Sequence, residues 1–266
     1  MNRFTRILAL WIAFPATAMA GTAAGSGILG TMHDFASGTD PGNQYAATQT
    51  KKVGLCTFCH TPHSAQSTSL LWNHTLSTNS YTWDTATTAS GTPYPTNLNA
   101  SYLGPTLKCL SCHDGSVAIG DVSNYLGKKA VYNTYQVAAG AGQIGTNGDL
   151  TGNHQLGNLT GNHPIGMPYP YGGAANTYNG ITDNTVNYTD FVPNPEASTT
   201  AHIKLFNYNS TNGSVGNGGS AGISGMECSS CHDPHNKAAV DVSFLRGKLG
   251  GSQASDGYLC AQCHVK

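Results

Sequence analysis

Apolar residues follow no sustained period along most of this chain. A core-facing helix would repeat them at i, i+3, i+4 and i+7, and a half-buried strand would alternate them strictly. The pattern therefore predicts mostly irregular coil, with short helices and few strands. Pro105 and Gly115 bracket one short helix, following the preference for proline at a helix start and glycine past its end. Ser255 or Asp256 is placed to cap a last helix over Cys260–His264. Between Gly120 and Gly225 the chain is rich in Gly, Asn, Thr and Tyr, and alternating Tyr and Val there read as ordered coil with a strand pair. The one continuous apolar run comes first. Arg3 and Arg6 precede Ile7–Phe14, and Ala18-Met19-Ala20 forms a small-residue cleavage site. Residues 1–20 thus read as a secretory signal peptide that is removed, leaving residues 21–266 as one domain. No later run approaches the ~20 apolar residues of a membrane span.

The chemistry is in the cysteines. All eight fall into four copies of Cys-x-x-Cys-His: Cys56 to His60, Cys109 to His113, Cys228 to His232 and Cys260 to His264. Positions i, i+3 and i+4 share one face of a helical turn, so two thiols and one imidazole of each copy can address a single flat group. This is the attachment signature of c-type haem, with two thioethers to the porphyrin and one axial imidazole. Zinc knuckles and redox disulfides also use Cys-x-x-Cys. Neither explains a histidine directly after the second cysteine in every copy.

Four covalent haems account for the weak periodicity, because porphyrin faces can serve as core in place of side chains. The expected architecture is a compact tetrahaem c-type cytochrome with haems forming the core, dependent on its cofactor to fold as small metallo-domains depend on their metal. Charged residues make up 9 % of the chain against about 25 % in ordinary globular proteins. No basic run is present to neutralise phosphates, so nucleic acid is not an expected partner.

Eleven histidines minus the four proximal ones (His60, His113, His232, His264) leave enough to give every iron a second imidazole. Bis-imidazole iron has no open position, which favours electron transfer over catalysis, and it lacks the methionine that raises potential. The candidate distal ligands are His33, His63, His163 and His235. His63 and His235 each follow a proximal histidine by three residues across a proline, too close to cross their own haem, so each is expected to serve a neighbouring one. His163 lies in Gly161-Asn162-His163-Pro164-Ile165-Gly166, and His33 in Thr31-Met32-His33-Asp34-Phe35. His74, His154 and His202 lack such context and are assigned to the surface or to haem edges. Met32, Met167 and Met226 are assigned to packing.

His33-Asp34-Phe35, Cys56 to His63, Leu71-Trp72-Asn73, Cys109 to Gly115, Ile119-Gly120-Asp121, His163 to Gly166, Cys228 to His235, Phe244-Leu245-Arg246 and Leu259 to His264 together resemble the doubled Cys-x-x-Cys-His family of secreted multihaem cytochromes. Within it they resemble the OmcE-type tetrahaem cytochromes of metal-respiring bacteria, which polymerise into extracellular nanowires. The resemblance covers most of Thr31 to His264 and is loose between Gly120 and Asn158. It implies a haem chain continued through head-to-tail subunits, with an axial histidine able to come from the adjacent subunit. His33, near the mature start, is the candidate for that role. The expected function is extracellular electron transfer, with other cytochromes and extracellular acceptors as partners. A soluble periplasmic or cell-surface shuttle is the alternative. A reductase is a third reading, and would need an iron with an open distal site.

Overall fold

The computed structural model describes residues 23–36, 54–66, 69–96, 98, 102–117, 122–125, 128–129 and 157–265. The expected leader and His154 lie outside them. The longest helix among the described residues is α1 (Pro105–His113), which carries the whole second motif. Pro105 sits at its start, where a missing N–H costs nothing, and Gly115 (φ 74°) turns the chain away beyond its end. The third motif forms a single turn, α2 (Cys228–Cys231), entered through a capping box between Glu227 and Ser230. The fourth is a 3₁₀ turn, Cys260–Gln262, and the first is an irregular turn. Ser255 and Asp256 do not cap the last motif. They lie in their own 3₁₀ turn, closed by Gly257 (φ 80°), and Leu259 precedes the motif without a side-chain cap.

Strands are short and antiparallel. Two antiparallel pairs, β1 (Asn124–Tyr125) with β2 (Lys128–Lys129) and β4 (Thr177–Tyr178) with β5 (Ile181–Thr182), accompany one four-stranded sheet. That sheet has the order β3 (Met167–Pro168), β8 (Ser224–Met226), β6 (Phe206–Asn209) and β7 (Ser214–Asn217). The β4–β5 turn is Asn179-Gly180 with φ of 50° and 77°, the residue pair that a two-residue hairpin with positive φ at both positions favours. Met167 pairs with Met226 across β3 and β8, and both are buried, so these methionines pack as expected.

Among the described residues, buried side chains form two apolar clusters. One cluster gathers Tyr81, Leu98, Tyr102, Leu107, Leu110, Leu159, Tyr178 and Phe206, and a second gathers Tyr169, Ala201, Ile203, Leu205, Met226 and Cys263. These residues come from many separate turns, so no local period reveals them. The fit is tight at Gly225, where an added Cβ would lie 2.2 Å from the Tyr178 ring. Gly225→Ala is therefore expected to lower stability by about 1–3 kcal/mol, as overpacking does, and thermal unfolding measures it. Among the described residues no helix is long and apolar enough to cross a membrane.

Candidate functional site

Each motif folds its histidine back over its first cysteine. The N–H groups of His60, His232 and His264 donate to the carbonyls of Cys56, Cys228 and Cys260 at 2.9, 3.0 and 3.0 Å, and α1 does the same within the second motif. Three of these histidines are then pinned by an isolated antiparallel bridge: His60 to Trp72, His232 to Leu245 and His264 to Phe191.

Ring orientation follows from one recurring bond. The Nδ1 of His60 lies 2.7 Å from the Leu70 carbonyl, that of His232 2.8 Å from Ser243, that of His33 3.0 Å from Pro234 and that of His163 2.9 Å from Pro164. An imidazole that donates from Nδ1 to a backbone carbonyl holds the tautomer that presents Nε2 to a metal.

The structure then brings histidines together in pairs. His33 faces His113 with ring centroids 6.1 Å apart, His60 faces His235 at 6.2 Å, and His163 faces His264 at 6.2 Å. Two imidazoles on one metal at bonds of about 2 Å hold their nitrogens about 4 Å apart, which places the ring centroids about 6 Å apart. The observed spacings fit bis-imidazole iron, and each pair joins one proximal with one predicted distal histidine. Among the described residues His232 has no second imidazole at this spacing. His63 is exposed, its carbonyl bonded by Thr61 Oγ1 and Asn124 Nδ2.

His33, the candidate to reach an adjacent subunit, has its ring beside His113 of its own chain. The arm that bears it is tied down by Asn236, which accepts from Gly25 N–H (3.1 Å) and Gly27 N–H (2.9 Å) and donates to the Gly27 carbonyl (3.0 Å).

The cysteines are free and lie in a contiguous series. Cys59 is within electrostatic reach of Cys112, Cys109 of Cys228, and Cys231 of Cys260 and Cys263. Burial pushes the Cys59, Cys112 and Cys263 thiols up to about 12, neighbouring cysteines adding to it, and Cys231 up to about 11. Such sites disfavour a thiolate and suit an uncharged thioether. Cys56 of the first motif and Cys260 of the fourth are exposed.

Several residues at the site escaped the sequence reading. Glu227, 1 % exposed, accepts from the Tyr102 and Tyr178 hydroxyls and from the Thr106 N–H (3.0 Å), while Cys228 N–H donates to Thr106 Oγ1 (3.0 Å). It thereby ties the third motif to the start of α1, and so to the second. Burial pushes its carboxyl up against the pull of these donors. Trp72 Nε1 donates to Ser111 Oγ (3.0 Å), tying the first motif to α1. The only available signal was a glutamate directly before Cys228, which is too common to act on.

Of the other described histidines, His74 is buried, its ring 4.9 Å from Phe58 and 5.8 Å from Trp72, and His202 is exposed. No family model and no curated protein matches this chain.

Proposed function

We propose that this chain is a tetrahaem c-type cytochrome that carries electrons outside the cell, and that it polymerises head-to-tail into a filament. The single observation that supports this reading best is the three histidine pairs at the spacing of two imidazoles on one iron. When bound, haem c supplies a reversible one-electron couple whose potential follows its axial ligands and surroundings. The eight motif cysteines would hold four such groups by thioethers, and His60, His113, His232 and His264 would be their proximal ligands. His235, His33 and His163 would complete the first, second and fourth sites. With both imidazoles of a pair on the iron, these three sites would leave no position for a substrate, which favours a carrier over an enzyme.

The contiguous series of cysteines, open at Cys56 and Cys260, supports transfer along the chain and out at both ends. A head-to-tail contact that does not close on itself propagates as a helical filament. The third site, on His232, takes its second ligand from beyond the pairs described. His63 occupies in the first motif the place that His235 occupies in the third, which makes it the candidate. Export through residues 1–20 suits attachment of haem outside the cytoplasm.

Electron microscopy of the haem-loaded protein recovered from outside cells tests the reading. Regular filaments with an unbroken haem series across subunits are expected. Discrete particles at every concentration would replace the filament with the soluble shuttle.

A further inference from the structure

The first and third motifs are two copies of one local fold, and the chain equips them differently. In each, the proximal imidazole bonds a carbonyl in a two-residue stretch of positive φ, Leu70-Leu71 (61° and 50°) or Ser243-Phe244 (54° and 60°). In each, that stretch runs back antiparallel to the motif. Thr61 N–H donates to Leu71 O (2.8 Å) as Asp233 N–H does to Phe244 O (2.7 Å), and Asn73 N–H donates to Cys59 O (2.9 Å) as Arg246 N–H does to Cys231 O (2.8 Å). Even the left-handed residue after the second histidine recurs, as Ser64 (58°) and Asn236 (51°).

At two equivalent positions the chemistry diverges. The first copy carries neutral Thr61 and Asn73, and the third carries the ion pair Asp233 and Arg246, with Nη2 3.5 Å from Oδ1. Both charged residues are buried, 5 % and 8 % exposed. Asn73 bonds Thr57 O (2.9 Å) and Phe58 O (3.2 Å) beneath its motif, then turns away to Ser123 and Asn124. Arg246 bonds Ser229 O (3.0 Å) and His232 O (3.3 Å) beneath its own, and turns instead to Asp233. Asp233 in turn accepts from the N–H groups of His235 (3.2 Å), Lys237 (2.8 Å) and Ala238 (2.6 Å). One end of the pair therefore grips the backbone of His232 and the other grips that of His235, which faces His60 of the first site.

We propose that Asp233 and Arg246 are positioning residues that hold His232 and His235 as one unit, and that their charges set the third haem site apart from the first. This rests on the haem assignment above. A buried negative charge favours ferric over ferrous haem, and a buried positive charge does the reverse. Leaving either partner alone should therefore move the potential of the His232 haem in opposite directions.

The test is a spectroelectrochemical titration of the full haem-loaded protein, with low-spin electron paramagnetic resonance. Arg246→Gln, which strands the carboxylate, should lower the reduction equilibrium constant of that haem by about tenfold, or about 59 mV for one electron. Asp233→Asn, which strands the guanidinium, should raise it by a similar factor. Both should perturb the low-spin signal of the His60–His235 site. Shifts of the same sign, or none, would overturn the proposal, because simple loosening of structure has no reason to change sign with the residue removed. If either variant fails to accumulate, Arg246→Lys decides the matter. It keeps the charge and loses the fork, so the potential should hold while the low-spin signals of both sites shift, and unchanged signals would overturn the positioning role. A wild-type protein without four low-spin haems would instead sink the haem assignment itself.

Discussion

His235→Ala is expected to open one haem in the haem-loaded protein, which should bind one more carbon monoxide on reduction than wild type. The expectation follows from the ring pair His60–His235 at 6.2 Å. Removing the distal imidazole leaves His60 as the only axial ligand of the first haem, and an iron with an open position turns high-spin and takes up exogenous ligands. Although His235 follows the third motif, it pairs with His60, so the change should appear on the haem bound through Cys56 and Cys59. The haem whose proximal ligand stands three residues away in the same segment should keep its low-spin signal. Selective labelling by site is the sharp part of the result. An opened haem on Cys228 and Cys231 instead would mean that the histidine pairing is wrong. The lost ligand should be recovered in part by added imidazole.

Glu227→Ala is expected to cost about 3–5 kcal/mol, because it strips the acceptor from three buried donors at about 1–3 kcal/mol each. The side chain is the acceptor for two buried phenol hydroxyls and one backbone N–H, and none of these has water to turn to. Thermal unfolding followed by circular dichroism should show a midpoint lower by about 10 °C, at ~2–4 °C per kcal/mol for a chain of this size. Glu227→Gln separates charge from shape. Because burial holds the folded carboxyl above its ordinary 4.5, the folded state keeps this proton more firmly than the unfolded chain. The group's contribution is full below about 4.5 and declines as pH rises through the folded value. Stability of the wild type should therefore fall relative to Glu227→Gln across that window, and urea unfolding at several pH values reads the difference. The opposite case is Asp233. Burial resists its ionisation, but the N–H of Ala238 and the Arg246 guanidinium, with further N–H donors, hold its carboxyl below the usual range. Its contribution is present above the ordinary carboxylate pKa and is lost in strong acid.

Local chemistry was legible where one residue type has one use. Four repeats of Cys-x-x-Cys-His, a proline nine residues before His113's successor and a glycine after it are statements about adjacent positions, and α1 stands where they put it. The predicted distal histidines His33, His163 and His235 stand beside motif histidines, and each sits in a stiff local setting: a proline beside His163 and His235, and the Asp34 carboxylate bonded to Gly30 and Ala36 N–H beside His33. The tyrosine-rich core was not legible, since Tyr81, Tyr102 and Tyr178 belong to different turns and meet only after the chain has folded.

By itself, then, the sequence determined the four Cys-x-x-Cys-His segments, the shortage of regular structure and the set of histidines from which pairs are drawn, because each depends on residues within a turn of one another. Only the tertiary structure decided which histidine faces which. It closed the His33 arm onto Asn236, joined the second and third motifs through Glu227, and placed Arg246 beneath a motif fifteen residues earlier. Those contacts join positions far apart along the chain, and their free energy comes from burial and from polar groups that have no other partner, quantities that exist only once the surrounding residues have excluded water.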